Sequence, residues 1–158
     1  MSDKRVSATR RIPASAAEVF AIVSSPAGHV EIDGSGMLVS TEAKAPAQVG
    51  DTFTMHMDRR PLSDIPNLVE YDVVNVVTRI EPNRLFEWAV GAPGRGTLGH
   101  VYGWQLVAVS DTETDVTNYC DWTDLPEKYL AQWTWPIVPV EMLERSVAKL
   151  AQVVKKTV

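Results

Sequence analysis

The sequence predicts an α+β fold in which a seven-stranded antiparallel sheet packs against one long C-terminal helix, with two short helices after the first strand. Three observations carry this prediction. Val140, Leu143, Val147, Leu150 and Val154 recur at three- and four-residue steps near the C-terminus, which makes one side of an α-helix apolar. From Met37 to Thr123 the helical period gives way to β-branched and aromatic runs separated by turn residues. Between them and the first strand, two short apolar patterns of helical period follow Pro13.

Each element has a local reason. Val6 to Ile12 reads as a strand that Pro13-Ala14-Ser15 stops. Ser15 is an N-cap, and Glu18 three residues later completes a capping box. Val19, Phe20 and Val23 give this helix its apolar face, Ser24-Ser25-Pro26 ends it, and a second short segment runs from Ala27 to Ile32. Asp33-Gly34-Ser35-Gly36 is a turn. Strands are expected at Met37 to Ala43, Asp51 to Met57, Val69 to Ile80, Arg84 to Val90, His100 to Val109 and Asp115 to Thr123. Glu81-Pro82-Asn83 and Ser110 to Thr114 connect neighbours closely enough to make them antiparallel. Pro61 to Asn67 is a looser loop with two prolines, and Glu127 to Pro139 is an aromatic bridge. The last helix spans Pro139 to Lys156, with Glu141, Glu144, Arg145, Lys149, Gln152, Lys155 and Lys156 on its wet side. Its acids precede its lysines, as the helix dipole favours.

With 158 residues and neither an internal repeat nor a linker, residues 1–158 are expected to form a single domain with a sizeable core. Apolar residues make up 45% and charged residues 22%, which argues against disorder. A net charge of -5 without a run of basic residues argues against binding nucleic acid. Cys120 is the sole cysteine, and Met1-Ser2-Asp3-Lys4-Arg5 lacks the apolar segment of a signal peptide, so the expected location is cytoplasmic. Stable membrane insertion is not expected, because no uninterrupted apolar run is long enough for a span. The oligomeric state is not legible.

The order of elements, together with Ile32 to Gly36, Val49-Gly50-Asp51-Thr52-Phe53 and Thr117 to Trp122 leading into Thr123, resembles the START-like, or SRPBCC, superfamily, often labelled polyketide cyclase/dehydrase. The resemblance covers nearly the whole chain and carries no catalytic motif. It implies a helix-grip fold, in which a curved sheet grips the last helix and leaves a cavity for an apolar ligand. Because members include lipid carriers, hormone receptors, aromatases and cyclases, the fold alone does not assign a function.

Alternation sorts the strand residues onto two faces. His100, Tyr102, Trp104 and Leu106 share one face of their strand, and Val116, Asn118, Cys120 and Trp122 share one face of the next. With Phe53, Met55 and Met57 on an earlier strand and Phe86 and Trp88 on another, these form an expected inward wall. Such a wall serves equally as packed core; the resemblance raises the pocket reading. The expected ligand-binding residues are Phe53, Met55, Phe86, Trp88, His100, Tyr102, Trp104, Asn118, Trp122, Met142 and Leu143, for a hydrophobic or aromatic small molecule such as a lipid or a polyketide-like compound. The alternative is a cyclase, aromatase or dehydratase using His100 or His29 as acid or base, helped by Tyr102 or Asp33. His29 and Asp33 lie one helical turn apart; both also fit structural roles, as do a hydrogen-bonded His100 at the sheet rim and an Asn118 that satisfies a buried backbone group.

Gly94-Arg95-Gly96-Thr97-Leu98-Gly99 matches G-x-G-x-x-G, but the alternating residues that follow exclude a dinucleotide site, because no helix N-terminus would face a pyrophosphate. It reads as a hairpin loop, with Arg95 flanking the cavity mouth. The three histidines and one cysteine lack metal-ligand spacing. No metal or other cofactor is expected.

Overall fold

A computed structural model describes residues 4–65 and 69–156. The elements in order are β1 (Arg5–Ile12), α1 (Ala16–Val23), α2 (Pro26–Ile32), β2 (Leu38–Ser40), β3 (Thr52–Asp58), β4 (Glu70–Glu81), β5 (Leu85–Ala92), β6 (Gly96–Ser110), β7 (Glu113–Asp121), α3 (Glu127–Gln132) and α4 (Val140–Lys156). The seven strands form one antiparallel sheet in the order β1-β7-β6-β5-β4-β3-β2. This is the helix-grip arrangement, with the sheet curled around α4.

The expected capping box is present: the Glu18 amide donates to Ser15 Oγ at 3.1 Å, and Glu18 Oε1 accepts from the Ser15 amide at 3.4 Å. Ser25 caps α2 in the same sense, its Oγ accepting from the Gly28 amide at 3.3 Å. Between β4 and β5 the Arg84 amide donates to Glu81 O at 2.9 Å, with Asn83 at a φ of 64°. Pro82 then occupies the position of that turn that favours proline, and Asn83 the one that needs positive φ.

Four expectations need correction. The strand expected at Met37 to Ala43 shrinks to three residues, since Asp33 and Thr41 side chains take over amides of this segment: Leu38 N donates to Asp33 Oδ2 at 3.1 Å and Ala43 N to Thr41 Oγ1 at 3.1 Å. The glycine-rich loop is tighter than expected, because β6 begins at Gly96, which pairs with Ala92, leaving only Pro93-Gly94-Arg95 as the turn. Gly91 permits this, since a Cβ there would overlap the Gly96 carbonyl. The aromatic bridge contains the helix α3, which has no buried residue and no side-chain cap. Finally, the last helix begins at Val140 rather than Pro139. Of the proline loop expected at Pro61 to Asn67, residues 66 and 67 lie outside the described residues, as do residues 1–3 of the polar start.

Helix α4 buries Leu143, Val147, Leu150, Ala151 and Val154 against Val19 and Val23 of α1, Ile32 of α2, Ala8 and Ile12 of β1, and Leu106 and Val116. Val140, the first residue of the apolar stripe, is only half-buried. The helix therefore lies over the β1–β7 side of the sheet, with α1 and α2 beside it. A second cluster, Phe53, Met55, Val77 and Phe86, sits under the opposite side.

The turn after α2 fixes the height of the helix. Gly34 N donates to Ser146 Oγ at 2.8 Å, and Lys149 Nζ donates to Asp33 O at 2.8 Å. A Cβ on Gly34 would overlap the Met142 carbonyl and the Ser146 amide, both backbone. Gly34→Ala is therefore expected to cost about 2 to 3 kcal/mol in urea unfolding by forcing α4 off the turn. Gly50→Ala, where φ is 93° and no atom lies near the new Cβ, should cost only about 1 kcal/mol from backbone strain. Equal losses at the two sites would show that the contact does not hold the helix.

Candidate functional site

Under the N-terminal half of α4, the concave face of β3 to β6 borders a cavity of about 550 Å³. A ligand pocket typically holds about 300 to 1,000 Å³. Its floor is Met55, Val73, Asn75, Trp88, Val90, His100, Tyr102 and Trp104; its roof is His29, Ile32 and the N-terminal half of α4 at Met142, Leu143 and Ser146. Arg59, Tyr71, the Arg95 hairpin and the Tyr129 to Ile137 segment contribute to its remaining wall.

Of the residues expected to bind ligand, Met55, Trp88, His100, Tyr102, Trp104, Asn118, Met142 and Leu143 line this space, as do His29 and Asp33. Phe53, Phe86 and Trp122 are not part of the lining. Phe53 and Phe86 pack against each other and against His29, with ring centroids 5.7 to 6.1 Å apart. Trp122 stacks on Trp135 at 6.3 Å beside Cys120 and Leu125. Their alternation is right; neighbouring rings cover them.

Three polar lining residues outside the expected set bear on the chemistry, Asn75, Tyr71 and Arg59. Asn75 and Tyr71 occupy the same inward face of β4 as Val73 and Val77, a strand whose two faces the sequence reading did not separate. Arg59 stands beside Arg60 in the sequence, a pairing that carries no signal of a site. Its side chain is only 12% exposed, because Asp64 grips it through two bonds of 2.7 and 2.8 Å while Nη1 donates to Tyr71 Oη at 3.2 Å. Burial opposes the charge, but Asp64 and Tyr71 outweigh it and hold the guanidinium more firmly protonated than usual.

The two buried histidines differ. His29 Nε2 lies 2.5 Å from the Val23 carbonyl, and its ring rests 4.6 Å from that of Trp88. Burial pushes its imidazole down to about 4, against the Val23 hydrogen bond and the Asp33 charge. Asp33 does not pair with it. Its Oδ1 accepts from Ser35 N and Oγ at 2.9 and 2.6 Å, and its Oδ2 from Leu38 N, so the carboxylate holds the turn together.

His100 packs edge-on against Trp135 at 4.8 Å and Tyr102 at 5.6 Å. Burial, reinforced by the positive charge of Arg59, lowers it to about 4. Its Nδ1 is buried without a hydrogen-bond partner, as is Asn75 Oδ1. A hydrogen-bonded rim histidine does not describe this residue. Leaving such an atom unmet costs about 1 to 3 kcal/mol, which a suitable bound group recovers. Asn118 donates its amide to Gly103 O at 2.9 Å, so part of its capacity serves the sheet. Burial raises the Tyr102 phenol well above its ordinary range and the Cys120 thiol up to about 12, so neither ionises near neutrality.

On the opposite face, Tyr119 lies across Gly103 and donates to Glu87 Oε2 at 2.5 Å, while Thr78 Oγ1 donates to Oε1 at 2.8 Å. This polar brace spans four strands and leaves the concave side free of it. Among the described residues, no cluster of three or more His, Cys, Asp or Glu could hold a metal ion, and no helix is long and apolar enough to cross a membrane.

Comparison with known proteins supports the fold and leaves the function open. No family model matches the sequence. Uncharacterised proteins from two strains of Mycobacterium tuberculosis are each 38% identical over 120 residues, which is 75% of this chain and 47% of each relative. The chain thus spans about half the length of the curated relatives it matches. A solved structure from Rhodobacter sphaeroides superposes with a TM-score of 0.68 at 14% identity, covering 98% of this chain and 95% of the other. One from Chromobacterium violaceum gives 0.66 at 13%, covering 96% and 98%. Norcoclaurine synthase from Thalictrum flavum, solved in complex with dopamine and hydroxybenzaldehyde, gives 0.62 at 15%, covering 97% and 87%.

Both imidazoles bind a proton less readily folded than unfolded, so stability is full above about pH 6.5 and falls as pH drops toward 4. Each is expected to remove on the order of 2 kcal/mol by pH 4.5. Exposed His56, raised by hydrogen bonds to Asp72 and Glu42, acts in the opposite sense, and the depressed carboxylates of Asp58, Asp64, Asp115 and Asp121 matter only at lower pH. His100→Gln should therefore flatten the fall in unfolding free energy between pH 7 and 4.5 by about 2 kcal/mol. An unchanged slope in urea titrations would show that His100 is not held neutral by burial.

Proposed function

We propose that the chain is a START-like (SRPBCC) protein that binds a hydrophobic or aromatic small molecule, lipid or polyketide-like, between the sheet and α4. The observation that carries this reading is the cavity itself: about 550 Å³ beneath Trp, Met, Tyr and Val side chains, with two buried polar atoms unmatched by the protein. At about 30 Å³ of liquid per molecule, that space equals about 18 waters, which would lie against mostly apolar walls. Displacing them with ring or chain carbon is favourable. That a protein of the same fold was solved with two aromatic compounds supports the reading without assigning a ligand.

Titration with panels of lipids and polycyclic aromatics should change the tryptophan emission, since Trp88, Trp104, Trp133 and Trp135 all line the cavity. Val90→Trp, which fills the floor, should weaken binding at least about tenfold while the protein still melts cooperatively. A panel without response, or binding untouched by Val90→Trp, would count against the cavity as the binding site.

A second reading, a cyclase, aromatase or dehydratase, is favoured at His100 over His29, because His29 already bonds Val23 whereas His100 Nδ1 is uncommitted. On that reading, His100→Gln abolishes conversion of a linear poly-β-ketone thioester while its binding stays within about threefold. Retained turnover would eliminate His100 as the acid or base.

A further inference from the structure

Two atoms constrain what the occupant of the cavity must carry. Asn75 Oδ1 and His100 Nδ1 are buried without partners, and each residue is 5% exposed on the cavity lining. Asn75 on β4 stands opposite Val90 on β5. On the far side of β5, Ala89 pairs with Val101 and Gly91 with Thr97, so Val90 faces the irregular stretch that contains His100. The two polar residues are therefore two strands apart, about 10 Å between backbones, with apolar Val90 between them. Trp88 stacks on Tyr102 at 6.1 Å and 26° beside them, a flat wall.

The lining's charges other than Arg95 are already matched. Asp64 takes Arg59 through two bonds, His56 takes Asp72 at 2.7 Å, and Ser35 and Leu38 take Asp33. Arg95, the other arginine of the lining, is exposed at the hairpin tip. A carboxylate buried beside Asn75 and His100 would thus find Arg59 already taken by Asp64 and Arg95 out in solvent at the hairpin tip, and would lose its hydration. Asn75 Oδ1 calls for a donor. His100 Nδ1 is a donor or an acceptor according to tautomer, and a hydroxyl satisfies either.

Building on the ligand-binding reading above, we propose that the occupant is a neutral, flat ring compound with a hydroxyl at each end, one donating to Asn75 Oδ1 and the other bonded to His100 Nδ1. The ring body crosses Val90 beside the Trp88 and Tyr102 wall. Arg59, compensated by Asp64, limits the depth of the polar end and does not serve as an anion anchor.

The test uses biphenyls as rulers: para,para-dihydroxybiphenyl, its monohydroxy analogue, its dimethyl ether and the corresponding dicarboxylate, each titrated calorimetrically into the intact protein at pH 7.5. The diol is expected to bind at least about tenfold tighter than the dimethyl ether, with the monohydroxy compound between them and the dicarboxylate weakest. Asn75→Leu and His100→Phe should each cut diol affinity about tenfold and leave ether affinity within about threefold. The ligand series on the unmodified protein keeps the test decisive if either variant fails to fold. Equal affinities for diol and ether, or tighter binding of the dicarboxylate, would overturn the proposed polar pair and leave the cavity reading intact. If neither the biphenyls nor the lipid and polycyclic panel bind, both fall together.

Discussion

Seven strands at about 4.8 Å spacing make a sheet about 29 Å wide, whereas a helix with its side chains is about 10 to 12 Å across, and this mismatch governs the rest of the molecule. One helix covers two or three strands. Helix α4 covers the β1–β7 side, where its aliphatic stripe meets α1, α2 and the sheet. Over β3 to β6 only α2, the first turns of α4 and the Tyr129 to Ile137 segment reach. Aromatic and methionine side chains fill the deepest part around Phe53 and Phe86, and what remains above them is the cavity.

The polar groups of the molecule follow the same division. Where backbone and side chains meet over the packed half, every requirement is met locally, as with Asp33 in its turn and Ser146 between Gly34 and Met142. The convex face likewise closes its own accounts through Tyr119, Glu87 and Thr78. The unmatched atoms fall on the cavity lining, at Asn75 and His100. Burial keeps the two histidines uncharged at neutral pH, so this lining is polar in places without being ionic.

Much of the fold was legible because it rests on short-range rules. The Ser15–Glu18 box, the Pro82-Asn83 turn and the α4 stripe each follow from a few adjacent residues, and strict alternation put Trp88, His100, Tyr102 and Trp104 on the correct face. The failures came from contacts distant in sequence. Whether an inward ring lines the cavity or lies beneath another ring depends on which neighbour covers it, which is why Phe53, Phe86 and Trp122 face inward yet lie outside the lining. Nothing adjacent to Arg59 in sequence signals that Asp64 and Tyr71 enclose it. Tyr119 sits on the face that alternation assigns to solvent, yet it is buried, because Gly103 on the adjacent strand leaves room for its ring. Helix α3 was missed because it is six residues long and buries nothing, leaving no periodic signal.

The Gly34 contact sets the height of the roof through the α4 backbone at Met142 and Ser146 and through one lining side chain, the Ser146 hydroxyl. Foundation and contents therefore meet at Ile32, Trp104, Leu143 and Ser146 and are separate elsewhere. Substitutions at Val90 or Met142, which lie outside both buried clusters, can reshape the interior for a new occupant without repacking the residues that hold the helix, so this scaffold can diversify its specificity at small cost to its stability.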